Sequence, residues 1–178
     1  HADHILLMGS CFAENIGRQL MDAGFQLDLN PFGILYNPLS VSSALREIIR
    51  NKEYNKQDLF AYKDLWHSPM HTPEETLNTI NSRLHHAYKK LPELNWLMVT
   101  MGTAYVYKQK ESGQVVANCH QLPESHFLRY RLSVEEIVED YTALITEMSA
   151  RNPELKWLFT VRSWTASRRR RRILLPAR

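Results

Sequence analysis

The apolar positions of this chain fall into short unbroken runs separated by longer stretches with helical spacing. Ile5-Leu6-Leu7-Met8 is the first run and stops at Gly9. A run of that length suits a strand covered on both faces in a parallel sheet. Phe12, Ile16 and Leu20 then recur every fourth residue, the stripe of an amphipathic helix, which Gly24 is placed to end. Phe25 to Leu29 alternates like a second strand. Val41, Leu45, Ile48 and Ile49 predict a helix with Ser40 as its N-cap. Thr72-Pro73-Glu74-Glu75 opens a further helix with a cap, a proline at the first helical position and acids in the first turn. That helix carries Leu77, Ile80, Leu84 and Tyr88 and ends before Pro92, leaving His85 and His86 solvated.

Trp96 to Met101 is a second buried-type strand that ends at Gly102. Tyr105-Val106-Tyr107 and Val115 to Ala117 flank Ser112-Gly113 as a hairpin. Ser133 and Glu136 form a capping box for a helix carrying Val134, Ile137, Tyr141, Leu144, Ile145 and Met148. Trp157 to Val161 is the third buried-type strand. The order strand, helix, strand, helix, helix, strand, helix, strand predicts an α/β fold with a mainly parallel sheet.

Ser10 follows the first strand directly and precedes the first helix. Ligands bind at the carboxyl ends of strands in such sheets, and helix N-terminal amides stabilise a developing oxyanion. Ser10 is therefore a candidate nucleophile; the competing reading is a serine that merely caps its helix. Burial of its oxygen, or its facing away from the loops at 33 and 102, would leave only the capping role. Cys11 is the alternative nucleophile, since a thiolate is favoured at a helix N-terminus, against its reading as a small buried side chain.

Between the strand candidates lie two unusual loops. Asn30-Pro31-Phe32-Gly33-Ile34-Leu35-Tyr36-Asn37-Pro38 brackets large apolar residues between turn signals, so it is expected to pack over the sheet edge. Residues 51–72 show no clean period. His67 and His71 stand four apart there, but Pro69 lies between them and no third ligand is apparent; no metal and no cofactor are expected.

Composition narrows the classes. The 178 residues are 44% hydrophobic and 23% charged, the proportions of a globular protein with one core. No apolar run reaches the ~18 residues of a membrane span. Two cysteines and no basic-then-apolar leader make the cytoplasm the expected compartment. The net charge of +3 comes from the C-terminal end, where Arg162, Arg168 to Arg172 and Arg178 supply seven of 22 basic residues and no acid occurs. Through Val161 there are 15 basic and 19 acidic residues, a formal −4. Nucleic acid is not an expected partner of that body. Residues 162–178 are read as a basic tail, solvated and without structure of their own, against the competing reading of an arm that binds RNA or a membrane surface.

Gly9-Ser10-Cys11-Phe12-Ala13 spells the signature of the GSCFA family, which the chain resembles. Asn30 to Pro38, Thr100-Met101-Gly102-Thr103-Ala104, Asn118-Cys119-His120 and Phe159-Thr160-Val161 resemble further blocks of that family in the same order. GSCFA proteins look like a branch of the SGNH, or GDSL-like, hydrolases. The resemblance implies a flavodoxin-like three-layer α/β/α sandwich, incomplete here at the C-terminus, and acyl-ester hydrolysis through a serine. It implies Ser10 as nucleophile, and backbone amides of Ser10, Gly33 and Gly102 as oxyanion donors. The wider superfamily has asparagine where Ala104 stands, so Asn118 is the expected substitute. Losing such a donor costs ~3 kcal/mol.

The family continues after Phe-Thr-Val with Ser-Pro-Val-Arg-His and an Asp-x-x-His block that holds the base, neither of which follows Val161 here. Residues 1–161 thus match the family domain, and Arg162 onward resembles a truncated or frameshifted end. His120 is the candidate substitute base, and the 178-residue form is expected to be inactive or nearly so. The substrate class implied is a small-molecule or carbohydrate ester. The competing function is a non-catalytic carbohydrate- or acyl-binding domain whose crevice is lined by Trp66, Tyr36 and Tyr105. Oligomeric state is not legible.

Overall fold

The structure, a computed structural model, describes residues 3–55, 73–116 and 123–161. Four parallel strands form the main sheet: β1 (His4–Gly9), β2 (Gln26–Leu29), β3 (Trp96–Met101) and, last in the chain, β7 (Lys156–Val161). Their order is β2-β1-β3-β7, with Leu6 beside Asp28 on one flank and Leu97 on the other. The fold is α/β.

Alternation along the strands divides the side chains between two faces. Ile5, Leu7 and Leu29 face α1 (Cys11–Asp22), whose Gly17 presses so closely on Leu29 that a Cβ there would approach its Cδ1 to 2.6 Å. Leu6, Met8, Leu97 and Val99 face the main core, with Val41, Leu45 and Ile48 of α2 (Pro38–Ile49), Ile80 and Leu84 of α3 (Pro73–Lys90), and Leu144 and Met148 of α4 (Val134–Ser149). Among the described residues one helix covers one face and three cover the other, giving the three layers.

Several expectations need correction. The face of α1 turned to the sheet carries Ala13 and Gly17, while Phe12 is 51% exposed. Small residues win that face because the helix lies close to β2, and Ile16 and Leu20 end half-buried at its flanks. The cap of α2 is Asn37, whose Oδ1 accepts the Ser40 N–H at 2.8 Å with Pro38 in the first turn; Ser40 lies buried inside the helix. Val134 stands outside the stripe of α4 and is exposed. Finally, β7 is an outer strand among the described residues, so Leu158, Phe159 and Val161 are exposed rather than covered.

Other signals hold. Gly24 follows the end of α1 at φ +85°, its N–H bonded to Met21 O and that of Phe25 to Leu20 O, which closes the helix. The box at Ser133 has both bonds, Glu136 N–H to Ser133 Oγ at 3.1 Å and Ser133 N–H to Glu136 Oε2 at 2.7 Å. The hairpin exists as β4 (Tyr105–Gln109) and β5 (Val115–Val116). A strand absent from the expected order, β6 (Phe127–Arg131), pairs antiparallel with β4 and makes a small second sheet.

Two long-range contacts fix α4 on α2. The Arg46 guanidinium reaches Asp140 Oδ1 at 2.7 Å and Glu147 Oε1 at 3.0 Å. Burial opposes its charge, but the hydrogen bonds to Glu147 and Asp140 outweigh that and hold it above its ordinary value. The Tyr141 hydroxyl donates to Pro38 O at 3.0 Å. Burial, with Asp140 adding to it, pushes that phenol above the ordinary tyrosine range. Among the described residues no helix is long and apolar enough to cross a membrane.

Candidate active site

From β1 the chain runs through α1 on one face to β2. It then returns through α2 and α3 on the opposite face to β3, on the far side of β1. The connections therefore diverge between the carboxyl ends of β1 and β3, the switch point at which open α/β sheets leave a crevice. Ser10 stands at one of those ends and Thr100 near the other, beside each other because Gly9 pairs with Thr100 in the register.

Gly9 makes this junction. It sits at φ +134°, and a Cβ on it would collide with the Thr100 carbonyl. Ser10 follows with extended backbone and opens α1, but its side chain makes no cap hydrogen bond. Instead its Oγ lies 3.1 Å from Thr100 Oγ1, and its N–H donates to Thr100 Oγ1 at 3.0 Å and to Thr100 O at 3.2 Å. The hydroxyl is thus free of the capping role that competed with the nucleophile reading. Ser10 is nevertheless buried, at 6% exposure, which counts against the nucleophile reading just as the missing cap bond counts against the capping one.

The loops expected to meet it behave differently. Gly102 lies against Ser10: a Cβ there would come within 3.1 Å of Ser10 Cβ and 3.2 Å of Tyr36 Cδ1. Its N–H, however, donates to Tyr36 O at 2.9 Å, and Thr103 N–H reaches the same oxygen at 3.1 Å. Gly33 N–H closes a turn onto Asn30 O at 2.8 Å. All three expected oxyanion amides, those of Ser10, Gly33 and Gly102, therefore already have acceptors within the protein.

Asn118, His120 and Trp66 lie outside the described residues, as do His67, His71 and residues 162–178. No described imidazole bonds to Ser10 Oγ, whose partner is Thr100 Oγ1. Cys11 is exposed on the first turn of α1 rather than buried. Among the described residues no three His, Cys, Asp or Glu side chains cluster as a metal site. Beside β2, an outer strand among the described residues, a cleft of about 830 Å³ is lined by Arg18, Asp28, Gly33, Arg83 and His86 among others, and Ser10 is not part of its lining.

Two residues take roles the sequence reading did not give them. Thr100 holds both the amide and the hydroxyl of Ser10, from ninety positions away. Asn30, read only as a turn residue, accepts the Gly9 N–H on Oδ1 at 2.9 Å. The strand-Gly-Ser-helix junction, its glycine and the loops around it are where the sequence signature sits, and the family model for GSCFA matches residues 4–163.

The chain belongs to the GSCFA family. No curated protein and no solved structure matches it. Within this GSCFA chain the matched span contains every described strand and helix, from His4 to Val161.

Proposed function

We propose that this GSCFA chain is a serine-dependent acyl-ester hydrolase of SGNH type, with Ser10 as its nucleophile and a small-molecule or carbohydrate ester as substrate. The observation that carries the reading is the placement of Ser10 at the switch point of the sheet, its hydroxyl relieved of capping and turned to Thr100. Attack by Oγ on the ester carbonyl would release the hydroxyl proton to a base. The tetrahedral oxyanion collapses to an acyl-serine as the alcohol leaves with that proton, and water then frees the acid. His120 is the candidate for the base and Asn118 for the missing side-chain donor. For Ser10, Gly33 and Gly102 to serve the oxyanion, their N–H groups must exchange their present acceptors for it, and a serine that is 6% exposed must become accessible.

The burial of Ser10 and the engagement of all three amides favour a second reading, binding of a sugar or acyl group without hydrolysis. Tyr36, whose ring lies against Gly102, and Tyr105 are both exposed and would supply the aromatic surface for it. Hydrolysis of short-chain aryl esters separates the two. Weak turnover lost in Ser10→Ala and in His120→Ala supports the hydrolase; turnover that survives Ser10→Ala removes it. Sugar binding without turnover, unchanged in Ser10→Ala, supports the binding domain.

A further inference from the structure

Asn30 uses every polar group it has to join three parts of the site. Its N–H donates to Leu7 O at 2.9 Å and its carbonyl accepts the Gly33 N–H at 2.8 Å. Its side-chain oxygen accepts the Gly9 N–H at 2.9 Å, and its side-chain nitrogen donates to Glu14 Oε2 at 3.1 Å. The other oxygen of Glu14 holds Arg18 at 2.9 Å. Asn30 is buried and sits at φ +42°, a conformation that asparagine tolerates better than most residues.

One amide therefore spans from the residue before Ser10 to the first turn of the helix that Ser10 opens. We propose that Asn30 is a positioning residue for Ser10, its Gly9-to-Glu14 bridge fixing the angle at which the chain leaves β1 for α1 and so the aim of Ser10 Oγ. This rests on the serine reading above. The geometry asks for a side chain with an acceptor on one atom and a donor on the other. Glycine meets the backbone requirement and neither side-chain one. Aspartate keeps the acceptor but sets a second carboxylate against Glu14, where like charges repel. Exchanging the two groups, Asn30→Asp with Glu14→Gln, rebuilds the bridge with donor and acceptor reversed at its far end.

The test uses the full 178-residue chain with Asn30→Gly, Asn30→Asp, Glu14→Gln and the double variant. Thermal melts fix a temperature at which each is folded. Amide exchange at Gly9 and Ser10 is then measured by NMR, and phosphonylation of Ser10 by a fluorophosphonate is followed by intact mass, with Ser10→Ala as blank. In Asn30→Gly and Asn30→Asp, labelling is expected to slow at least about tenfold, as for a displaced reacting group, and Gly9 exchange to quicken. The double variant should recover both. Labelling of Asn30→Gly at the parental rate, or a double variant no better than Asn30→Asp, overturns the proposal. Where glycine at 30 does not fold, the comparison between Asn30→Asp and the double variant decides. A parental chain that does not label counts against the serine reading; Gly9 exchange then judges the bridge, and parental exchange in Asn30→Gly or in Asn30→Asp overturns it.

Discussion

Gly102 is packed directly against the side chain of Ser10. A methyl group there would stand 3.1 Å from Ser10 Cβ and 3.2 Å from the Tyr36 ring. Gly102→Ala should cost only about 1–2 kcal/mol of stability, because the ring can yield. It should slow Ser10-dependent aryl-ester cleavage by about tenfold or more, since displacement of the hydroxyl is amplified in the rate; denaturant melts beside initial rates check the split. Tyr141 offers a different handle. Its phenol is raised by burial, so the folded state resists ionisation that the unfolded state accepts near pH 10. Its stabilising share is intact below about pH 10 and is lost as pH climbs above that value. Tyr141→Phe should melt lower at neutral pH by about 1 kcal/mol for the lost bond to Pro38, with a shallower fall in alkali. At this scale Ser10 and Gly102 were readable because each closes an apolar run. Thr100 and Asn30 were not, because their bonds reach partners 90 and 21 positions away, and no local pattern records them.

Among the elements, helix positions were legible and their rotations and caps less so. Periodicity located α1 but gave it the wrong inner face, since large residues were taken to seek cover while close approach to Leu29 admits only small ones. The start of α2 was read from Ser40, whereas the Asn37-Pro38 pair supplies both the acceptor and the preset first-turn dihedral. Two alanine variants separate these assignments. Asn37→Ala should destabilise by about 1 kcal/mol. Ser40→Ala should be neutral or stabilising within about 1 kcal/mol, because its buried Oγ has no hydrogen-bond partner among the described residues. Chemical denaturation of both reads the difference. Strand β6 escaped notice because only Phe127 of its five residues is buried, which leaves no alternation to see.

For the molecule as a whole, the α/β class followed from the order of runs and stripes, but which strand lies outermost did not. Burial of an apolar strand depends on neighbours that its own composition cannot name, and β7 has β3 on one side only among the described residues. On that outer edge Val161 is 73% accessible, an apolar side chain through which copies of the chain are expected to adhere. Val161→Lys is expected to reduce concentration-dependent light scattering while changing stability by no more than about 0.5 kcal/mol; undiminished scattering would point to another surface. The carbonyl of Tyr36 has a last consequence. One oxygen accepts two hydrogen bonds, from the N–H groups of Gly102 and Thr103, so whatever lifts the segment before α2 uncovers both in a single event. Deuterium should enter those neighbouring positions with matching protection factors, which would measure the fraction of time the crevice stands open.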